Sequence, residues 1–226
     1  MSERDLLALA WKEADKISRE TMVAVLRSLS NFEPGAVLDI GAGERGYGEL
    51  FKGRHRRFVT FDIAMQTRPN VIGSALALPF RAGSFETVIS TQTLEHLTDP
   101  MLALVEMRRM LRAGGHLLLS APQTWPLHLV PHDYYRFTRF GLELMLARAG
   151  FSIERIEPCG GAIATVGQYL ALGVFHLGTH ARHSRTRHFW RRGVLPLINR
   201  ISLRLERWRP MTEQSVLNWI VLARPT

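Results

Sequence analysis

Val37-Leu38-Asp39-Ile40-Gly41-Ala42-Gly43 decides the fold of this chain of 226 residues. The apolar run ends in a glycine turn. Nineteen positions beyond Gly43, Asp62 closes a second apolar run, Phe58-Val59-Thr60-Phe61-Asp62. A strand, a glycine turn, a helix and a second strand ending in a carboxylate make the half of a doubly wound sheet that holds an adenosine ribose. Glycine lets the backbone come close to a ligand, and the carboxylate can accept hydrogen bonds from two ribose hydroxyls.

The adenosine could belong to a dinucleotide, because Gly41-Ala42-Gly43-Glu44-Arg45-Gly46 fits G-x-G-x-x-G. A pyrophosphate docks on the helix N-terminus after such a turn. Carboxylates at Asp39 and Glu44 would stand beside it as like charges, at a cost. A cationic ligand turns that cost into attraction. S-adenosylmethionine carries a sulfonium and an ammonium next to its adenosine, so the acids favour it over a dinucleotide.

Further along, the chain resembles the class I S-adenosylmethionine-dependent methyltransferases of the UbiE-like branch. The resemblance rests on Val37 to Gly43, on Asp62, on Gly73-Ser74-Ala75-Leu76-Ala77-Leu78-Pro79-Phe80 and on Ser84-Phe85-Glu86-Thr87-Val88-Ile89-Ser90. It continues through Leu94-Glu95-His96-Leu97 and Leu111 to Ser120, and order and spacing hold over about residues 35 to 122. It implies an α/β fold, a doubly wound, seven-stranded and mostly parallel sheet, that binds S-adenosylmethionine and releases S-adenosylhomocysteine. Carried over, Asp39, Gly41, Ala42 and Gly43 cradle the methionine part and Asp62 holds the ribose. Ile63 packs on adenine, Ser74, Ala75 and Leu76 line its edge, and Thr91 and Gln92 lie under the sulfonium. His96 helps build the cofactor floor. The family usually has an acid where Ser74 stands, which weakens the expected grip on adenine, and Asp where Glu86 stands.

Composition agrees. A hydrophobic content of 46% suffices for the core of one α/β domain. The single cysteine, Cys159, excludes an internal disulfide, reads as structural and favours a reducing compartment. Met1-Ser2-Glu3-Arg4-Asp5 lacks the basic start and apolar core of a signal peptide, and no apolar run reaches spanning length. A cytoplasmic location follows as an expectation, with membrane association at the inner face as an option.

The periodicity predicts N-terminal helices over 3–30, on Leu6, Leu9, Ala10, Ile17, Val25 and Leu29, covering the cofactor site. The cofactor-binding core spans 35–122, with strands at Ala36 to Ile40, Phe58 to Asp62, Val71-Ile72, Thr87 to Thr91 and His116 to Ser120. A helix starts at Asp99-Pro100 and stops at Gly114-Gly115. Another runs from Thr138 to Ala149, then strand six at Phe151 to Glu157 and a closing strand at Ser215 to Ala223. All of it reads as one methyltransferase domain, 1–226, with a helical insert at about 160–212 before the last strand.

That insert separates the last two strands by about fifty-five residues, and a connection so long carries structure or function of its own. Ala162 to Leu177 is almost wholly apolar. From Ala181 to Arg209 nine arginines face one acid, Glu206, so +8 of the chain's +9 lies there. Leu197, Ile201, Leu205 and Trp208 form one helical stripe beside Arg200, Arg204 and Arg207. The plainest reading packs the stripe on the chain's own domain. A basic amphipathic helix also suits an anionic membrane surface, and a basic stripe suits nucleic acid, a poorer match here because aromatics are few.

Substrate chemistry belongs to loops at the carboxyl ends of the strands. Pro122 to Thr138 holds two histidines, an acid, two tyrosines and an arginine within nine residues, His128 to Arg136. An alcohol nucleophile benefits from a base near neutral pKa. His132 is the expected base, with Asp133 as its orienter or the alternative base. His128, Tyr134, Tyr135 and Arg136 shape the substrate pocket, Arg136 gripping an acidic group. Against this stands the possibility that Asp133 only caps the next helix. Pro131 breaks the H-x-x-x-H spacing of His128 and His132, so no metal is expected. The acceptor is expected to be a small molecule, a glycan or a lipid-linked group, methylated on oxygen, with nitrogen as the second option. An RNA methyltransferase and a cofactor-fold binding protein without turnover are the rivals.

Overall fold

The computed structural model describes residues 11–43, 50–51, 53–180, 189–208 and 215–226. Leu6, Leu9 and Ala10 of the expected first helix, Glu44, and the arginines Arg182, Arg185, Arg187 and Arg209 lie outside them. The elements are α1 (Lys16–Leu29), β1 (Gly35–Ile40), β2 (His55–Asp62), β3 (Val71–Ile72), β4 (Phe85–Thr91), α2 (Pro100–Met110) and β5 (Leu111–Pro122). They continue as α3 (Arg139–Arg148), β6 (Phe151–Cys159), α4 (Ala162–His180), α5 (Leu195–Trp208) and β7 (Asn218–Pro225).

The chain forms two compact units: residues 25–157 with 219–226, and residues 1–24 with 158–218. The sheet has seven strands in the order β3-β2-β1-β4-β5-β7-β6. Strands β1, β2, β3, β4 and β5 pair in parallel. The Thr226 N–H donates to Gly150 O beside the start of β6, and Arg224 pairs with Glu154, so β7 runs antiparallel to β6. Central strands of such a sheet are covered on both faces and must be apolar throughout. Val37, Leu38 and Ile40 in β1, Val88 and Ile89 in β4 and Leu117 to Leu119 in β5 are accordingly all fully buried. Ala103, Leu104, Met107 and Met110 of α2 are fully buried too.

Asp99 caps α2 as expected, its Oδ1 accepting from the Leu102 N–H at 2.9 Å. The helix stops earlier than the glycines suggest, at Met110. Leu111 pairs with Phe85 of β4, and a register shift follows before Thr87 pairs with His116. Strand pairing thus captures the residues that propensity assigns to the helix. Glu86, where the family favours the shorter acid, uses its length: Oε2 accepts from the Ala36 N–H at 2.8 Å, and Oε1 meets Arg56 at 2.9 Å and Arg112 at 2.6 Å.

In the other unit α4, α5 and the N-terminal helix pack together. The side-chain amide of Gln168 replaces a missing helical bond: Ser18 N–H donates to Oε1 at 3.0 Å, and Nε2 donates to Ala14 O at 2.5 Å. A side chain inserted in this way interrupts the i to i−4 ladder. Gly167 of α4 meets Ser202 of α5 so closely that a Cβ on the glycine would stand 2.1 Å from the serine oxygen. Glu206, the insert's lone acid, closes the N-terminus of α4 by accepting from the Gly161 and Ala164 N–H groups at 2.8 and 2.9 Å.

The stripe on α5 points the opposite way from the plainest expectation. Leu195, Asn199, Ser202 and Leu203 are the buried residues of that helix, whereas Leu197, Ile201, Leu205 and Trp208 are exposed, the last at 76%. Small and polar contacts fix the inner face: Ser202 on Gly167, and the Asn199 amide donating to Glu13 O at 2.7 Å. Among the described residues no helix is long and apolar enough to cross a membrane.

Candidate active site

The glycine turn after β1 is held from two sides. The Gly41 and Ala42 N–H groups donate to Phe61 O at 2.8 and 3.3 Å. Gly41 has φ +71°, and a Cβ there would sit 2.1 Å from Thr93 Oγ1, so the turn closes against the loop after β4. Gly43 is the reverse case. Its φ is +56°, yet a Cβ there would meet no atom of the described residues within 4 Å. Asp39 lies fully buried near the end of β1.

Asp62 binds both neighbouring segments, Oδ2 accepting from the Gly43 N–H and Oδ1 from the Ala64 N–H, each at 2.8 Å. A carboxylate has about four acceptor sites, so two remain for a pair of ribose hydroxyls. Next to it Ile63 is 76% exposed, an apolar side chain with no core to fill and the right place to meet a purine face. Ala75 is buried, Leu76 half-buried, and exposed Ser74 accepts the Leu76 N–H at 3.2 Å. An open glycine edge, a buried acid and a ribose-spaced carboxylate beside an exposed apolar residue fit S-adenosylmethionine.

At the end of β4, Thr91 is buried and Gln92 takes φ +50°, its backbone N–H donating to Ser120 O at 3.1 Å. The turn Leu94–His96 follows, and it carries the residue that sequence reasoning passed over. Glu95 is fully buried, and neither carboxyl oxygen makes a well-aligned hydrogen bond among the described residues. Burial pushes its acid up to about 8, against smaller lowerings by its own backbone N–H and by the Arg136 charge. An acid in the run Leu94-Glu95-His96-Leu97, directly after an apolar strand, was the available signal.

The loop from Pro122 to Thr138 folds onto this turn: the Tyr134 and Tyr135 N–H groups donate to Glu95 O at 2.9 and 3.3 Å. Arg136 organises the loop. Its Nε donates to Trp125 O, Nη1 to Asp133 Oδ1 and Tyr135 O, and Nη2 to Pro126 O and Asp133 Oδ2, all between 2.7 and 3.0 Å. Five donors are all that a guanidinium has. Arg136 therefore staples the loop and has none left to grip an acidic substrate, contrary to the expectation.

Asp133 differs from its expected role as well. Its carboxylate, 1% exposed, takes Arg136 bidentately and accepts from the His128 N–H at 2.9 Å, with His128 Nδ1 at 3.1 Å. The Arg136 hydrogen bonds hold that carboxyl far below the usual range. Asp133 thus orients His128, while helix α3 is capped by Thr138, whose Oγ1 accepts from the Gly141 N–H at 3.1 Å. His132 is exposed, and its Nδ1 meets Tyr134 Oη at 3.0 Å. Its backbone carbonyl lies 2.6 Å from His96 Nδ1. Tyr135 donates its hydroxyl to Thr98 O at 3.3 Å. Burial lowers the His128 pKa more than Asp133 raises it, keeping that imidazole neutral at pH 7. The rings of His96 and His128 meet edge to face, centroids 4.7 Å apart.

Residues 38–119 match a family model described as a methyltransferase domain. Over 177 residues the chain is 29% identical to the malonyl-[acyl-carrier protein] O-methyltransferase of Geobacter sulfurreducens, covering 64% of this chain and 66% of that protein. It is 31% identical over 111 residues to the demethylmenaquinone methyltransferase of Renibacterium salmoninarum, covering 43% and 47% of the two. The chain thus spans less than two thirds of the length of these curated relatives. Among solved structures, an S-adenosylmethionine-dependent methyltransferase from Mesorhizobium loti superposes with TM-score 0.58 at 17% identity, over 90% of this chain and 97% of that one. At that identity the likeness concerns the fold.

Proposed function

We propose that the chain is a class I S-adenosylmethionine-dependent methyltransferase, a reading supported by the methyltransferase-domain match over residues 38–119, and that it methylates an oxygen of a small-molecule, glycan or lipid-linked acceptor. S-adenosylmethionine supplies an electrophilic methyl group on a sulfonium. Asp39 with the Gly41 to Gly43 edge would hold its methionine part, Asp62 its ribose and Ile63 its purine. In-line displacement asks the protein chiefly to place the nucleophile. The observation that carries the oxygen reading is the polar cluster after β4, where ligand atoms of Glu95, His96 and His128 lie within 4.8 Å of one another. Such a cluster can bind an acceptor oxygen, and the exposed His132 ring stands ready to take its proton.

The test is transfer of labelled methyl from S-adenosylmethionine to panels of phenols, hydroxylated glycans and lipid-linked alcohols, run beside amine panels. The expected result is label on a hydroxyl acceptor, reduced about 100-fold in His132→Ala. Label confined to amines would contradict the oxygen reading.

A second reading concerns α5, for which a separate observation speaks. Its outward stripe of Leu197, Ile201, Leu205 and Trp208 runs beside exposed Arg200, Arg204 and Arg207. We propose that this helix rests on an anionic bilayer, apolar side chains in the interface and guanidiniums on the lipid phosphates. In co-sedimentation the protein should follow vesicles containing phosphatidylserine and leave them as salt rises or in Ile201→Glu. Equal binding of wild type and variant would contradict it.

A further inference from the structure

Glu95, His96 and His128 come from two segments about thirty residues apart, brought together by the loop that Arg136 staples. Each histidine has one nitrogen committed. The His132 carbonyl can only accept, so His96 Nδ1 must donate to it across 2.6 Å. The ionised Asp133 carboxylate likewise fixes Nδ1 of His128 as a donor at 3.1 Å. In the neutral rings both Nε2 atoms then carry a lone pair. The third member, Glu95, is fully buried and its carboxyl oxygens have no hydrogen bond among the described residues, so it keeps its proton unless a positive charge faces it. The nearby Arg136 charge is already matched by Asp133.

We propose that Glu95, His96 and His128 form a site for one divalent transition-metal ion of the zinc, manganese or iron(II) class. Two imidazoles and a carboxylate are a donor set for those ions, whereas magnesium prefers oxygen alone. The carbonyl behind His96 and the carboxylate behind His128 are the outer partners that orient metal-binding imidazoles. His96 Nε2 stands 3.8 Å from Glu95 Oε1. Ligands at about 2.0–2.1 Å from a tetrahedral ion lie roughly 3.3–3.5 Å apart, so modest side-chain rotation completes the site. With three protein ligands, a further position stays open, and the histidine side chains, 17% and 26% exposed, leave it reachable. The pattern H-x-x-x-H misleads here, because the second histidine of the site is His96 and His132 contributes only its carbonyl.

The purpose of the ion rests on the oxygen-methylation reading: a hydroxyl bound to it loses its proton more readily, and His132 can receive that proton. Binding of the ion does not depend on that reading. The test strips the full-length protein with a chelator and titrates it with Co²⁺, read by visible absorption, and with Zn²⁺ by calorimetry, without cofactor or acceptor. The expected result is one ion per chain. Glu95→Gln and His128→Gln, both checked for native circular dichroism, should each weaken binding by about 100-fold, at least as much as loss of an outer partner. His132→Ala should retain it. A wild type that takes up no ion, or a Glu95→Gln/His128→Gln double variant that binds as tightly as wild type, overturns the site. An ion bound without methyl transfer to any hydroxyl sinks the functional reading and leaves the site standing.

Discussion

Asp62→Ala will lose affinity for S-adenosylmethionine by roughly 100-fold or more, measured by equilibrium dialysis with labelled cofactor. Two hydrogen bonds from ribose hydroxyls to a charged acceptor are worth about 1.5–3 kcal/mol each, and every 1.4 kcal/mol is tenfold. The substitution acts a second time through the protein. The Gly43 and Ala64 N–H groups both rest on this carboxylate, so the glycine turn loses its anchor together with the ligand. Asp62→Asn should fall between, since one amide oxygen can still accept while the NH₂ group opposes a backbone donor. Undiminished affinity in Asp62→Ala would remove this residue from the cofactor site.

Arg136→Met carries the largest expected cost in stability. It removes five hydrogen bonds from one loop and leaves the Asp133 carboxylate buried at 1% exposure without its cation. Breaking a buried pair in this way costs about 3–5 kcal/mol, which for a chain of this size lowers Tm by roughly 6–20 °C. The pH dependence gives the cause a signature. In the wild type Arg136 depresses the Asp133 pKa, so this contribution is present above the ordinary aspartate range and lost as pH falls through the folded value. Without the arginine, burial raises that pKa, and protonation then relieves the variant. The gap in Tm between the two proteins should be widest near neutral pH and narrow on acidification. Adding Asp133→Asn to Arg136→Met should recover part of the loss. A gap that stays constant with pH would locate the effect elsewhere.

The parts of the fold that the sequence displayed are those whose partners are close along the chain. The strand, glycine turn and second carboxylate span only Val37 to Asp62, and the turn's hydrogen bonds run between those same residues. The cap at Asp99 is local too, and so is the helix start at Thr138, whose side chain rather than that of Asp133 proves to be the cap. What escaped depends on distant partners. Met110 rather than Gly114 ends its helix because Leu111 pairs with Phe85. The α5 stripe faces outward because Gly167, far earlier in the chain, admits Ser202, and Glu13 receives Asn199. In the candidate site, residue types were visible but pairings were not. Asp133 stands beside His132 in sequence, yet a loop bent by Arg136 turns it to His128. Glu95 stood in the Leu94-Glu95-His96-Leu97 run with no role of its own, because only its burial sets it among imidazoles.

The central claim is that the edge from Asp39 to Gly43, closed by Asp62, holds an adenosyl sulfonium. Calorimetric titration of the full chain with S-adenosylmethionine and S-adenosylhomocysteine at fixed ionic strength tests it most directly. The expected result is one saturable site per chain for both ligands, with Kd on the order of micromolar and weakened in Asp62→Ala. No saturable heat with either ligand from folded wild-type protein would contradict the account.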